Sequence, residues 1–356
     1  MIEPRKIAVA MSGGVDSSVA AALLVEQGEQ VFGLMLRLWD SRPDRPNRCC
    51  SPHDMANARA VAAQLEIPFY VLDVREPFRQ AVVEPFIAGY LEGITPNPCM
   101  ACNRQIRWGH LLQHARKLGA THLATGHYAR IQESGGHFHL FRPYDRTKDQ
   151  SYVLSVLGQL DLEQSRFPLG ELRKDQVRER ARNLRLPVAG RPDSQDLCFL
   201  GGADYREFLS ETAGITWEPG PILDQAGSPL GTHRGLPGYT VGQRKGIGVS
   251  GAVPLYVVAK DFRRNALVVG PRTALGRTSF RVDRMHWVAD QPPDPGTSLT
   301  VQVRYRSPAV PARLRPNGIE DGAVVDLDEP LLQITPGQAA VFYNRDECLG
   351  GGVILQ

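Results

Sequence analysis

Two groups of residues in this chain are of types and spacings that could do chemistry. One is the run Ser12-Gly13-Gly14-Val15-Asp16-Ser17-Ser18, and the other is the set of thiols at Cys99, Cys102 and Cys198. Gly13 and Gly14 let the backbone turn sharply and approach an anion, while the N–H groups of Val15 to Ser18 open a helix whose dipole favours negative charge. The loop has no lysine. A Gly-x-x-x-x-Gly-Lys-Ser/Thr loop uses its lysine on a transferable terminal phosphate, so this loop suits pyrophosphate better. The hydroxyls of Ser12, Ser17 and Ser18 would add donors. Asp16 suits a Mg²⁺ ion and equally suits capping the helix that follows. The plainer alternative is a Gly/Ser turn opening an ordinary helix.

The thiols sit in two polar, turn-rich contexts, Thr95-Pro96-Asn97-Pro98-Cys99-Met100-Ala101-Cys102-Asn103 and Pro192-Asp193-Ser194-Gln195-Asp196-Leu197-Cys198-Phe199. Cys102 falls near the start of a helical stretch whose dipole would lower a thiol pKa and favour the nucleophilic thiolate. A Cys-x-x-Cys pair with one distant cysteine also reads as buried filler, as zinc ligands or as redox groups, although a closed zinc site needs four ligands. Three thiolates with one open position also fit a 4Fe-4S cluster. Cys49, Cys50 and Cys348 read as packing or incidental residues; the adjacent pair does not readily bridge itself, although Cys49 or Cys50, near the nucleotide-facing loop, is an alternative thiol.

The elements that must position these groups are strand-like at Lys6 to Met11, Gln30 to Leu36, Pro68 to Val74 and His122 to Gly126. Helical stretches at Ser17 to Glu26, Asp54 to Leu65 and Ile106 to Leu118 separate them. This alternation implies an α/β fold with a doubly wound parallel sheet, and ligands of such sheets bind beyond the carboxyl ends of the strands. From about Trp217 the chain turns to short strands between Pro- and Gly-rich turns, such as Leu255 to Val258, Ala266 to Val269 and Val301 to Tyr305. The division read from this is a nucleotide-binding unit over 1–210, a small mainly β unit over 211–275 and a C-terminal β-barrel over 276–356.

At 356 residues with a formal net charge of +3, the chain has ample apolar content for several cores but no bulk charge that would predict nucleic-acid binding. Any such contact must come from local patches. Arg173-Lys174 and Arg178 to Arg182 read as a charged helix surface, and Arg244-Lys245 as a phosphate-binding hairpin. The start lacks a signal-peptide apolar region and no membrane-spanning run occurs, so a cytoplasmic location with no membrane partner is expected.

Read together, the motifs carry a resemblance. Residues 12–18 look like the PP-loop of ATP pyrophosphatases, and the ordered blocks Ala124 to Ala129, Lys148 to Tyr152, Ser194 to Phe199, Gly242 to Gly246, Val303 to Arg306 and Gly337 to Tyr343 resemble the bacterial tRNA-specific 2-thiouridylase family. The resemblance extends over nearly the whole chain. It implies an enzyme that uses ATP and Mg²⁺ to replace the C2 oxygen of the wobble uridine, position 34 of tRNAs for lysine, glutamate and glutamine, by sulfur.

By that resemblance Ala10, Met11, Ser12, Gly13, Gly14, Val15, Asp16, Ser17, Ser18, Leu36 and Gly126 bind the nucleotide, with Gly126 bare so that the adenosine can approach. Cys198 carries a persulfide and Cys102 releases its sulfur. Asn97, Pro98 and Cys99 shape the uridine pocket, while His127, Lys148, Asp149, Gln150, Arg304, Tyr305 and Gln338 touch the tRNA. The better-known form of the pattern has aspartate where this chain has Cys99. That departure makes Cys99, Cys102 and Cys198 resemble the 4Fe-4S ligands of related tRNA thiolases, an alternative to the persulfide route. Implied partners are the tRNA anticodon stem-loop and a sulfur donor such as a cysteine desulfurase or relay protein, acting on a monomer. An ammonia-using PP-loop synthetase and a catalytically silent tRNA-binding protein are the other classes. The first needs no paired cysteines and commonly carries a glutaminase module, of which there is no sign.

Overall fold

The structure, a computed structural model, describes residues 5–40, 51–193, 197–214, 217–316, 321–332 and 334–355. Cys49 and Cys50, and Ser194 to Asp196 of the second cysteine motif, lie outside them.

Strands β1 (Lys6–Ala10), β2 (Gln30–Arg37), β3 (Phe69–Asp73) and β4 (His122–Thr125) form most of a parallel sheet. A hairpin of β5 (Arg130–Ser134) and β6 (His137–Phe141) follows, and β7 (Ser165–Arg166) completes the sheet in the order β3-β2-β1-β4-β7. The inner strands β1 and β2 are apolar because both faces are covered, whereas the edge strand β3 leaves Tyr70 and Val71 exposed. Ile7 and Val9 point into one core, with Val19, Val61, Phe78 and Phe86, while Ala8, Phe32 and Leu34 point into the other. Helix α1 (Val15–Glu26) is buried nearly all round, so its run of alanines packs tightly beneath the sheet. Helix α2 (Pro52–Gln64) begins with a reciprocal cap. Ser51 Oγ accepts from the Asp54 N–H at 3.1 Å, and Asp54 Oδ2 accepts from the Ser51 N–H at 3.2 Å.

The second half is all β. Strands β8 (Gly220–Leu223), β9 (Pro229–His233), β10 (Tyr256–Asp261) and β11 (Ala266–Gly270) form a four-stranded sheet. Strands β12 (Arg277–Trp287), β13 (Leu299–Gln302), β14 (Val310–Pro316), β15 (Ala323–Leu331), β16 (Ala339–Asn344) and β17 (Glu347–Ile354) follow in the order β12-β15-β14-β13-β16-β17, and pairing of β12 with β17 closes the barrel. The expected strand Val301 to Tyr305 stops at Gln302, because Arg304 and Ser307 close a turn in which the Ser307 N–H donates to the Arg304 carbonyl at 3.0 Å.

Strand β17 also pairs with β6, Cys348 opposite Leu140, so a hairpin inserted among the βα units extends the barrel's sheet. Tyr152, Val288, Tyr343 and Cys348 share one buried core with Ala8 and Leu34 of the parallel sheet. The barrel is therefore packed onto the parallel-sheet half through a common apolar core. Cys348 is buried with its thiol pushed up to about 12 by that burial, which suits the packing role read for it.

Candidate active site

At the carboxyl end of β1 the chain leaves the sheet, with the Met11 N–H donating to the Leu34 carbonyl at 2.8 Å, and turns through Ser12 to Gly14 into α1. Gly13 has φ +71, and a Cβ there would overlap the Asp54 carbonyl oxygen, so glycine is required on both counts. Gly14 is the N-cap and offers no side chain, which leaves the first N–H groups of α1 facing outward for an anion. The serine hydroxyls mostly stabilise the loop itself. Ser18 Oγ donates to the Gly14 carbonyl at 2.8 Å from a fully buried position, and Ser17 Oγ accepts from the Ser12 N–H at 3.1 Å. Ser18 is thus a loop brace rather than the phosphate donor expected of it.

A cavity of about 310 Å³ opens over this loop. It gathers Ala10, Met11, Ser12, Gly14, Val15, Asp16, Ser17, Leu36 and Gly126, with His127, Lys148, Gln150 and Tyr305. Leu34, Leu36, Leu38 and Leu111 give it an apolar end suited to a base, and Lys148, Lys174, Arg191 and Arg306 give it a cationic one suited to phosphates. Gly126 does line the cavity, but its bareness serves the protein. A Cβ at Gly126 would lie 2.7 Å from the Ser17 nitrogen, so glycine lets the end of β4 sit against the start of α1.

The cationic end is an ordered lattice of ion pairs. Lys174 Nζ donates to Asp16 at 2.6 and 2.8 Å, and Tyr128 donates its hydroxyl proton to Asp16 Oδ1 at 2.9 Å. Asp16 therefore makes no helix cap. Asp193 accepts from Lys148 at 2.7 Å and Arg178 at 2.6 Å, and lies 3.0 Å from Lys174. Burial alone would raise the Asp193 carboxyl, but the bonds from Lys148 and Lys174 outweigh it and hold the pKa at about 2. Arg191 donates to the Gly13 carbonyl at 2.7 Å and pairs with buried Asp54 at 2.6 Å, clamping the loop from outside. Lys174 and Arg178 were expected on a charged helix surface. The helix Lys174–Asn183 instead turns both inward, because Val177 and Ala181 of the same helix are buried against the sheet's core. Arg191 carried no local sequence signal, and the site roles of Asp193, Asp54 and Tyr128 come from partners far away along the chain.

His127 is buried at the cavity wall, 2.8 Å from Thr125 Oγ1 through Nδ1, and stacked near Trp108. Burial and the neighbouring Arg107 push its pKa well down, so the ring is neutral. Arg107 donates to Nε2 at 3.3 Å, which leaves the proton on Nδ1. Gln150 accepts from the Tyr128 N–H at 2.9 Å, and Asp149 pairs with Arg142 and accepts from the Ser151 N–H at 2.9 Å. Arg304 turns inward and donates to Val241 O at 3.2 Å and to Thr335, joining the barrel to the four-stranded region. Tyr305 is exposed at the cavity mouth beside Arg306.

The cysteines lie on the neighbouring side of the sheet's core. Asn97 caps the helix Pro98–Ala101, accepting from the Met100 N–H at 3.4 Å, and a π-helical turn Cys102–Leu111 continues it. Pro98 and Cys102 are buried while Cys99 faces solvent. The barrel holds this approach in place. Gln338 donates its side-chain amide to Thr95 O at 2.9 Å, the Thr95 N–H donates to Pro336 O at 2.8 Å, and a Cβ on Gly337 would come within 2.8 Å of the Thr95 nitrogen.

Cys198 is half-buried against the core that includes Cys102. Its neighbour Phe199 is wedged between Phe78, Phe86 and Phe208, with ring centroids 6.0, 5.1 and 5.1 Å away. Cys99, Cys102 and Cys198 do not form a cluster-holding set. Among the described residues no three His, Cys, Asp or Glu side chains are placed to hold a metal ion. Cys102 is buried in the core while Cys99 is exposed, so the expected 4Fe-4S ligation finds no ready-made site among the described residues.

A phosphate-binding loop at the end of a central parallel strand, a cationic cavity and a pair of core-facing cysteines define a nucleotide-using sulfur-handling enzyme of the PP-loop class. Family models match in sequence order: a tRNA methyl transferase HUP domain over residues 5–202, a tRNA methyl transferase PRC-barrel domain over 206–271 and an aminomethyltransferase beta-barrel domain over 277–354. A protein of Chloroflexus aggregans described as tRNA-specific 2-thiouridylase MnmA is 50% identical, covering 98% of each chain. Proteins of the same description from Roseiflexus castenholzii and Magnetococcus marinus are 46% and 44% identical, covering 99% and 100% of each chain. The chain belongs to the tRNA-specific 2-thiouridylase family. No helix among the described residues is long and apolar enough to cross a membrane.

Proposed function

We propose that this protein uses ATP to convert the C2 carbonyl of the wobble uridine of tRNA to a thiocarbonyl. The observation that carries the reading is the placement of a lysine-free PP-loop and its cationic cavity beside a core that holds both Cys102 and Cys198. Identity of 50% over 98% of the chain to a protein described as a tRNA-specific 2-thiouridylase supports it.

The uridine C2 oxygen attacks the α-phosphorus of ATP, forming the O–P bond as the bond to pyrophosphate breaks. The N–H groups at the start of α1, with Lys148, Lys174 and Arg191, hold the departing pyrophosphate and the charge that develops on it. Mg²⁺ would lie among the phosphates and Asp16. The terminal sulfur of a Cys198 persulfide then adds to C2 and AMP leaves, carrying the oxygen. The Cys102 thiolate attacks Cys198 Sγ, so the thiocarbonyl departs and a Cys102–Cys198 disulfide forms. In the other order, Cys102 attacks first and the liberated hydrosulfide adds to C2. Either order leaves the same disulfide, which two electrons from a thiol reductant reopen, and a persulfide-bearing donor reloads Cys198.

For the tRNA we assign exposed Tyr305 a stacking face and the Asn97 to Cys99 turn the wall of the uridine pocket. Extruding an anticodon base costs little because it is only partly stacked. Thiolation of a tRNA bearing uridine 34, read by nucleoside mass spectrometry with iron-free and iron-reconstituted protein, tests the reading. Product from iron-free protein that needs both ATP and a sulfane-sulfur source is expected. Product from reconstituted protein alone would overturn the persulfide route, and product from neither would overturn the function.

A further inference from the structure

The peptide between Gly13 and Gly14 has two orientations open to it, and only one of them serves an anion. A trans peptide carries its C=O and N–H on opposite sides, so half a turn of this unit would exchange the two and aim an oxygen at the phosphates. Two adjacent glycines put little steric barrier in the way, since neither resists a positive φ. In the structure Gly13 is buried, while Gly14 is half-buried and lines the cavity. Among the described residues nothing accepts from the Gly14 N–H. The Gly13 carbonyl, by contrast, is taken, because Arg191 Nη1 donates to it at 2.7 Å. Arg191 is held in turn. Its Nη2 lies 2.6 Å from Oδ1 of buried Asp54, whose other oxygen accepts from the Ser51 N–H at 3.2 Å and the Ser51 hydroxyl at 2.6 Å. A planar guanidinium can serve the carbonyl and the carboxylate at once, one from each outer nitrogen.

We propose that Arg191, anchored on Asp54, is a positioning residue that locks the Gly13–Gly14 peptide with its N–H toward the pyrophosphate. The inference rests on the proposed function and deepens it, since Arg191 then acts on the phosphates through the loop's backbone as well as by its charge. Gly14 stands at φ −96 in the locked form, a value any residue adopts. Half a turn of the peptide carries that φ into the positive region, which only glycine enters freely. The two glycines the loop needs for its shape thus create a freedom that a distant arginine removes.

The test uses the full-length protein and its affinity for Mg²⁺ with α,β-methylene-ATP, set against its affinity for adenosine, which has no phosphate. Arg191→Gln should bind the ATP analogue about tenfold more weakly, because a charge-assisted bond to the carbonyl is lost, and should bind adenosine within about twofold of wild type. Gly14→Ala should still bind the analogue, since the nearest atom to its Cβ is the Ser12 side-chain hydroxyl at 3.3 Å and alanine resists the flipped φ. In the Gly14→Ala background, Arg191→Gln should cost only about twofold, a rescue that neither a purely electrostatic nor a packing role of Arg191 would produce. If Arg191→Gln alone does not fold because Asp54 is left buried and unpaired, joining it to Asp54→Asn removes both charges and the same cycle decides. A tenfold loss in both backgrounds, no loss in either, an equal loss for adenosine, or a Gly14→Ala protein that no longer binds the analogue would overturn the lock. Absence of analogue binding to the wild type would instead overturn the proposed function.

Discussion

At the phosphate end of the site, seven consecutive residues make the loop: Gly13 takes the left-handed turn, Gly14 leaves the helix uncapped and Ser17 and Ser18 brace the bend. At the thiol end nothing comparable is local. Cys102 is buried by a helix that the barrel's Gln338 docks from outside, and Cys198 is fixed by the packing of the phenylalanine beside it. Binding an anion needs only backbone N–H groups held in one conformation, which a short sequence can specify through glycine. Bringing two thiols to a shared core requires long-range packing.

The widest separation between the two ends comes from Cys198→Ser. It should lower thiolation by at least about a thousandfold while leaving Mg²⁺-ATP and tRNA affinities within about twofold. Retained sulfur transfer would remove Cys198 from its role. Phe199→Ala strikes the packing rather than the chemistry, and opening the aromatic cluster should cost about 3–5 kcal/mol in denaturant unfolding. A near-neutral result would mean that something other than this cluster fixes the cysteine.

Gly13→Ala attacks the other end, where a left-handed backbone and the overlap with the Asp54 carbonyl should cost about 1–3 kcal/mol and weaken Mg²⁺-ATP binding about tenfold. Unchanged nucleotide affinity would show that the loop's shape is not what binds phosphate. The smallest effect is expected for Cys99→Asp. The side chain faces solvent, so iron-free thiolation should stay within about twofold of wild type. A collapse of activity would restore a role for the third thiol.

Acid should loosen the cationic end of the site. Because the Asp193 carboxyl is held at about 2 in the folded protein, against an ordinary value near 3.8, its contribution to stability is complete above about pH 4 and is lost as pH falls toward 2. Protonation also cancels its hold on Lys148 and Lys174.

The local parts of this protein were legible from its residues alone. Alternating apolar runs placed β1 to β4 and the helices after β1, after β2 and before β4, though not the helical stretch over residues 75–91, while the Gly-Gly turn announced the phosphate loop and ordered motifs carried the family resemblance over nearly the full length. Tertiary packing settled which charges belong to the site, that Ser18 braces the loop, and that Cys102 is buried while Cys99 stays exposed. The physical reason is range. A turn or an amphipathic helix is set by neighbours a few residues apart, whereas an ion pair such as Lys174–Asp16, or the seam where β6 joins β17, gains its energy only when distant segments are brought together by burial of the cores that surround them.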